Sequence, residues 1–188
     1  MVELLSEELH KRLEIEDMQC INREVTDAMQ KEEKFVLFHK WLNENGVRYD
    51  SIEYPVAFGK NGDLVGLAAR RKIGAGEAYI FIPNKMIIND EKINNSELGF
   101  IIKKHKEVFE DHADGEYLRL IFFITYELTK GEKSFWYPYF LIAHPTDLPC
   151  FWEEADLDCL EDPLLKAEIK EYKIEYDDEY KALCNVAK

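Results

Sequence analysis

The chain has 188 residues, 46% of them apolar, with 21 Phe or Tyr and 3 Trp, which is enough to fill the core of one folded domain. Its formal charge of -14 is uneven: residues 1–34 carry 10 acids and 5 bases, residues 151–188 carry 12 and 5, and the middle is left with 16 acids and 14 bases. That balance excludes a surface that wraps nucleic acid or an anionic membrane, because phosphate binding needs clustered Lys and Arg, and leaves basic protein partners or plain solvated helix faces as its two readings.

Residues 3–33 are expected to form one or two acidic helices, opened by Ser6 as N-cap with Glu7 and Glu8 in the first turn. Their apolar stripe (Leu9, Leu13, Ile15 to Met18) is thin. Phe35, Phe38, Trp41 and Leu42 then repeat at helical spacing, and Asn45-Gly46 is a C-terminal stop. From Tyr54 to Phe58 the pattern becomes extended. Lys60-Asn61-Gly62-Asp63 carries a hairpin signal, and Leu64 to Ala69 reads as the returning strand. After a basic corner (Arg70 to Ile73) and the turn Gly74-Ala75-Gly76, a third strand is expected over Ala78 to Ile82, closed by Pro83. The result would be a small antiparallel β-meander in an α+β fold.

Further on, Ser96 to Phe109 is expected to be helical. Glu116 to Lys130 forms a stronger helix with Leu118, Ile121, Phe122, Thr125 and Leu128 on one face and Gly131 past its end. Ser134-Phe135-Trp136-Tyr137-Pro138-Tyr139 leads an apolar run to Ile142, and a hinge is expected near Pro145 to Pro149. Pro163 opens a last helix, with Leu165, Ile169, Tyr172, Tyr176 and Leu183 at intervals of three, four and seven. No repeat or low-complexity linker marks an internal domain boundary.

Local chemistry is sparse. His105, Glu110, Asp111, His112 and Asp114 cluster but match neither HExxH nor an EF-hand loop, so they read as polar helix ends and no metal ligand is nominated. Gly59, Gly62 and Gly66 fail the spacing of phosphate loops and serve turns. There is no GxSxG, and no catalytic residue is nominated. Cys20, Cys150, Cys159 and Cys184 are scattered without a CxxC pair and are expected to be reduced, mostly packing thiols. With an acidic start, no visible signal or transit peptide and no apolar run near the ~18 residues of a membrane span, the expected address is intracellular, cytoplasmic or nuclear.

Gly66-Leu67-Ala68-Ala69, then Arg71-Lys72-Ile73, Gly76-Glu77 and Ile82-Pro83 resemble the first strands of a SET domain. There the pattern is G-x-G-L-x-A, a basic residue, an isoleucine, G-E and a closing I-P. Phe38 to Gly46 is similar to the family's F-x-x-W-L-x-x-N-G, and Ser134 to Tyr139 to its S-x-W-x-P-Y. Their order narrows the resemblance to the class of the plant Rubisco large-subunit and actin-histidine methyltransferases. It divides the chain into an acidic extension (1–34), the N-terminal part of a SET domain (35–133) and the start of a helical insertion (134–188).

The resemblance implies S-adenosylmethionine as cofactor and methyl transfer to a neutral lysine or histidine nitrogen, by alignment in a dry channel. It places the backbone of Gly66, Leu67 and Ala68 against the cofactor, where a missing side chain permits close approach. Glu77 would accept from a ribose or amino group, and Tyr79 would contribute mainly its backbone; without the resemblance these two are a turn acid and a core aromatic. Leu64 stands where the family pattern has its first glycine. The family's later half carries an Asn-His pair and a Tyr-Gly ending, and neither dipeptide occurs in this sequence, so the chain alone is expected to be incomplete or inactive as a methyltransferase.

Three readings stay open. The first is the N-terminal part of an S-adenosylmethionine-dependent protein methyltransferase of the SET class whose second half lies on another chain or outside this sequence, which leaves open whether this chain is itself an enzyme. Alternatively it is a non-catalytic SET-derived pseudoenzyme or scaffolding subunit that needs a protein partner or a larger complex. The third is an unrelated acidic α+β binding domain.

Overall fold

The computed structural model describes residues 20–110, 114–143 and 148–187. Of the one or two helices expected over residues 3–33, the part before residue 20 lies outside the described residues, as do Asp111 and His112 and most of the expected hinge. The chain divides into two compact units, Met1–Ile87 and Ile88–Lys188.

The first unit is built around a β-hairpin. Helix α1 (Arg23–Met29) is capped by Asn22, whose side chain accepts from the Val25 N–H at 3.1 Å. Helix α2 (Glu33–Glu44) follows, with its aromatic residues at the spacing that puts them on one face. Phe35 is buried and meets the Tyr54 ring edge-on at 5.8 Å, and Phe38 meets it at 6.0 Å. These T-shaped pairs contribute beyond the area they bury. The helix ends as expected at Asn45 and Gly46, the latter at φ +82°, a conformation glycine adopts without a side-chain clash.

Strand β1 (Ile52–Phe58) and strand β2 (Leu64–Ala69) are antiparallel neighbours. Glu53 faces Ala68 and Val56 faces Gly66, so Tyr54 and Pro55 together oppose Leu67 in a β-bulge, which suits a residue with no N–H to donate. Val56 and Ala57 are fully buried. The hairpin loop is longer than a two-residue Asn-Gly turn: Gly59 and Gly62 both take positive φ, and the Gly62 N–H donates to the Gly59 carbonyl at 3.1 Å.

The expected third strand is not formed. Ala78 to Ile82 makes one isolated bridge, Phe81 with Arg48, through reciprocal hydrogen bonds of 3.0 and 2.8 Å, and does not pair with β2. The physical reason lies in the corner. Arg71 reaches back to Ser51 and across to Glu77, and the Arg48 guanidinium sits 4.7 Å from the centre of the Phe81 ring, so the chain is drawn towards Arg48. The fold remains α+β, but the meander reduces to a two-stranded hairpin.

The second unit is helical among the described residues: α3 (Asp90–Asn94), α4 (Gly99–Lys104), α5 (Lys106–Phe109), α6 (Gly115–Thr129), α7 (Tyr137–Phe140), α8 (Glu154–Leu157) and α9 (Pro163–Val186). The single helix expected over Ser96 to Phe109 is broken at His105, whose φ of -112° and ψ of 56° are not helical. On α6 the expected stripe holds in part: Leu118 is buried and Ile121 and Phe122 are half-buried, whereas Thr125 and Leu128 are exposed and Phe123 and Glu127, outside the stripe, are buried. Pro163 opens α9 as expected, with the Asp162 carboxylate accepting from the Leu164 and Leu165 N–H groups at 2.9 and 3.2 Å. Ile169 and Val186 anchor α9, while Tyr172 and Tyr176 stack on each other at the surface, 6.4 Å apart.

Candidate functional site

The residues with a cofactor role implied at the sequence level fall on β2 and the segment after it. On β2 alternate residues differ in what their backbone meets. The Arg70 N–H donates to the Ser51 carbonyl at 2.9 Å, so in a regular strand the even-numbered residues back to Leu64 turn their amides towards β1. Val65, Leu67 and Ala69 therefore turn theirs outward. Leu64, Val65 and Leu67 are each about half exposed.

Strand β1 is finished on its outer side. The Ala57 N–H donates to the buried Thr26 hydroxyl at 3.0 Å, the Ala57 carbonyl accepts from the Asn22 N–H at 2.8 Å, and the Pro55 carbonyl accepts from the Gln30 amide at 3.1 Å. Glu53 binds Arg23 and Gln30, and those hydrogen bonds hold its carboxyl below the usual range.

The corner after β2 is held by one ion pair. Arg71 Nη2 donates to Glu77 Oε1 at 2.5 Å and to Ser51 Oγ at 2.6 Å, and Glu77 Oε2 accepts from the Gly74 N–H at 2.9 Å. The Gly74 carbonyl also accepts from the Glu77 N–H at 3.1 Å, closing a turn with Gly76 at φ +77°. Arg71 first, then the Gly74 amide, hold the Glu77 carboxyl below its ordinary range. Both Glu77 oxygens are thus in use at the surface.

Of the five residues, Gly66, Leu67 and Ala68 are contiguous on β2, and Glu77 locks the corner. Tyr79 is half exposed, not a core aromatic. Among the described residues no hydrogen bond or ring contact ties Tyr79 to Gly66, Leu67 or Ala68. A Cβ added at Gly66 would lie 3.2 Å from the Phe58 ring, so that side of Gly66 is filled from within the hairpin. For S-adenosylmethionine the fit is therefore partial. The outward backbone of Leu67 and the exposed Tyr79 suit one wall of a site, whereas Glu77 would have to share its carboxylate with Arg71.

Two polar networks were not expected from the sequence. His39 bridges Tyr49 (Nδ1 to the phenol, 2.9 Å) and the Tyr54 carbonyl (Nε2, 2.8 Å) and stacks on the Tyr49 ring, while burial pushes the Tyr49 phenol up. A carbonyl only accepts, so Nε2 carries a proton. In the second unit buried Glu127 accepts from Lys130 at 2.7 Å and from the Ser134 hydroxyl at 2.6 Å, and Ser134 in turn accepts from the Trp136 N–H at 3.1 Å. Ser134 and Trp136, two positions of the S-x-W-x-P-Y stretch, are thus buried anchors.

An apolar cleft of about 460 Å³, lined by Tyr117, Ile121, Phe122, Phe151, Tyr176 and Leu183 among others, lies in the second unit and contains none of the five residues. The four cysteines are free, but Cys20 and Cys159 are exposed rather than packed. Among the described residues there is no cluster of potential metal ligands, and no helix is long and apolar enough to cross a membrane.

No family model matches the chain. Individual proteins do. The chain is 31% identical over 138 residues to the mouse actin-histidine N-methyltransferase, covering 73% of this chain and 22% of that protein. The human protein of the same name is 31% identical over 134 residues. The pea chloroplastic ribulose-1,5-bisphosphate carboxylase/oxygenase large-subunit N-methyltransferase is 30% identical over 139 residues, or 72% of this chain and 26% of that one. A crystal structure of the SET domain of LSMT bound to methyllysine and AdoHcy superposes with a TM-score of 0.64 and 24% identity, over 81% of this chain and 33% of the other. The chain spans about a fifth to a quarter of the length of the curated relatives it matches.

Proposed function

The chain belongs to the SET-domain class of the Rubisco large-subunit and actin-histidine methyltransferases, and from that premise we propose that β2 and its corner supply the cofactor-side wall of an S-adenosylmethionine-dependent protein N-methyltransferase. The observation that carries this reading is the half-exposed β2 backbone at Leu67, followed in sequence by the Gly76-Glu77 corner and the exposed Tyr79.

When bound, S-adenosylmethionine supplies the methyl group that a neutral lysine or histidine nitrogen accepts. This chain's own part is to hold. The backbone of Gly66, Leu67 and Ala68 and that of Tyr79 present amides and carbonyls, and Glu77 presents an acceptor that Arg71 keeps ionised. No residue of the chain is assigned to the chemical step, and the chain alone is read as incomplete for catalysis.

A second reading has its own support. Phe58 fills the Cβ side of Gly66 and Arg71 holds Glu77, as expected of a non-catalytic SET-derived subunit in a larger protein assembly.

Calorimetry with S-adenosylmethionine on the full chain separates the two. The cofactor reading expects saturable binding that Glu77→Ala weakens by about tenfold, the loss of a charge-assisted hydrogen bond. Arg71→Ala, which frees the carboxylate, should leave affinity unchanged or raise it. Absence of binding by the unaltered chain overturns the cofactor reading, and stable co-purification with other proteins then supports the structural one.

A further inference from the structure

The apolar cleft of the second unit is walled by aromatic rings from three places. Tyr117 and Phe122 come from α6, Tyr176 and Tyr180 from one face of α9, and Phe151 from the short turn Pro149–Phe151. The Lys173 ammonium donates to the Trp152 carbonyl at 3.1 Å and so holds that turn to α9. Among the described residues, Tyr117, Phe151, Tyr176 and Tyr180 stay 40–68% exposed. The charged side chain on the lining is the Glu179 carboxylate, and no described lysine or arginine lines the cleft with it. Burial first, then the Tyr176 phenol and the Glu179 carboxylate, push the Tyr117 phenol up, so the cleft disfavours negative charge. A groove of about 580 Å³ shares Glu179 and adds Glu175 and Asp178 of α9 with Glu107 and Asp114, again with no described lysine or arginine on its lining. Lys181 reaches Asp178 at 3.1 Å from outside it.

We propose that this cleft is an aromatic cage for the trimethylammonium head of a methylated lysine, carried by a basic peptide whose neighbouring lysines or arginines lie over the acidic groove. The faces of aromatic rings carry negative charge and attract a cation. Methylation decides which cation enters. An unmethylated ammonium would give up its hydrogen bonds to water, and walls of this kind hold few acceptors to replace them. A quaternary nitrogen has no N–H to satisfy and presents methyl groups to the rings. At about 460 Å³ the cleft falls within the range of small-ligand sites, with room for the head and part of its chain. Charge complementarity selects a peptide over a free amine, because the acids continue beyond the cage along the adjoining groove. None of these residues belongs to the cofactor wall, so the cage stands or falls independently of S-adenosylmethionine binding.

Calorimetry on the full chain without S-adenosylmethionine tests it with a short synthetic peptide that carries trimethyllysine between two arginines. The peptide should bind with a Kd below about 100 μM. Two analogues should bind about tenfold more weakly: one with unmethylated lysine, and one with carbon in place of the quaternary nitrogen, which keeps the shape and removes the charge. Choline, the same head without a peptide, should also be about tenfold weaker. Tyr180→Ala should weaken the trimethylated peptide about fivefold with far-ultraviolet circular dichroism unchanged, and Tyr180→Phe, which keeps the ring face, should restore it. Glu179→Gln should cost about threefold. Tyr139→Ala, at an exposed tyrosine outside the cleft, should leave binding as it is. No binding of the trimethylated peptide overturns the proposal. So does equal binding of the three peptides, which would mean that net charge alone holds them, or a preference for the uncharged analogue, which would make the cleft a plain apolar groove. Indifference to Tyr180→Ala overturns the cage, and choline binding as tightly as the peptide overturns the peptide as its occupant.

Discussion

The two strands of the hairpin are adjacent, similar in length and similarly apolar, yet they end in opposite conditions. On β1, Val56 and Ala57 are fully buried and the outer edge is closed by side chains and backbone around α1. On β2, Leu64, Val65 and Leu67 stay half exposed and the outward amides meet no described partner. Composition does not separate them. What separates them is who sits beside each edge: β1 has Thr26, Asn22 and Gln30, and β2 has a corner whose charged groups are spent on one another. One strand is a core element, and the other is a surface prepared to receive something.

The largest effect should come from a matched pair of identical truncations. Val56→Ala removes two methyl groups' worth of fully buried surface and leaves a cavity, so it should cost about 2–3 kcal/mol in urea denaturation. Val65→Ala, across the same ladder, should stay within about 0.5 kcal/mol. Equal costs would break the comparison.

Thr26→Val sharpens it next. It keeps the volume but leaves the buried Ala57 N–H without its acceptor, which should cost about 1–2 kcal/mol. The smallest effect concerns acid. Hydrogen bonds from Arg23 and Gln30 lower the Glu53 pKa in the folded chain. That contribution is complete above the ordinary carboxylate pKa and disappears as pH falls through the lowered folded value. Glu53→Gln should therefore flatten the acid limb of stability against pH while changing the neutral midpoint by less than about 1 kcal/mol.

Much of this architecture was legible in local signals. Phe35, Phe38 and Trp41 at helical spacing, Asn45-Gly46, Gly131 and Pro163 mark helices whose ends depend on residues next door. Strand β2 was equally plain. The failures share a cause, which is that pattern names an element but not its partner. Ala78 to Ile82 is apolar enough for a strand, but its pairing depends on Arg71 with Glu77 and on Arg48 against Phe81, contacts that alternation cannot express. Glu127 was assigned to no buried face because an acid counts as polar. It is buried because Lys130 and Ser134, only three and seven residues on, satisfy its oxygens. For the candidate site the motif placed Gly66, Leu67, Ala68, Glu77 and Tyr79 in order along the chain. It could not reveal that Glu77 is held by Arg71 or that Phe58 lies against Gly66.

The central claim, that among the described residues the outer edge of β1 is closed and that of β2 is open, is tested most directly by hydrogen exchange of individual amides at a dilution where the chain is monomeric. The Ala57 amide should exchange slowly, along with Gly66 and Ala68, while Val65, Leu67 and Ala69 exchange quickly, giving an alternation along β2. Uniform slow exchange along β2 in the dilute monomer would contradict the account, because it would mean that the edge is already covered within a single chain.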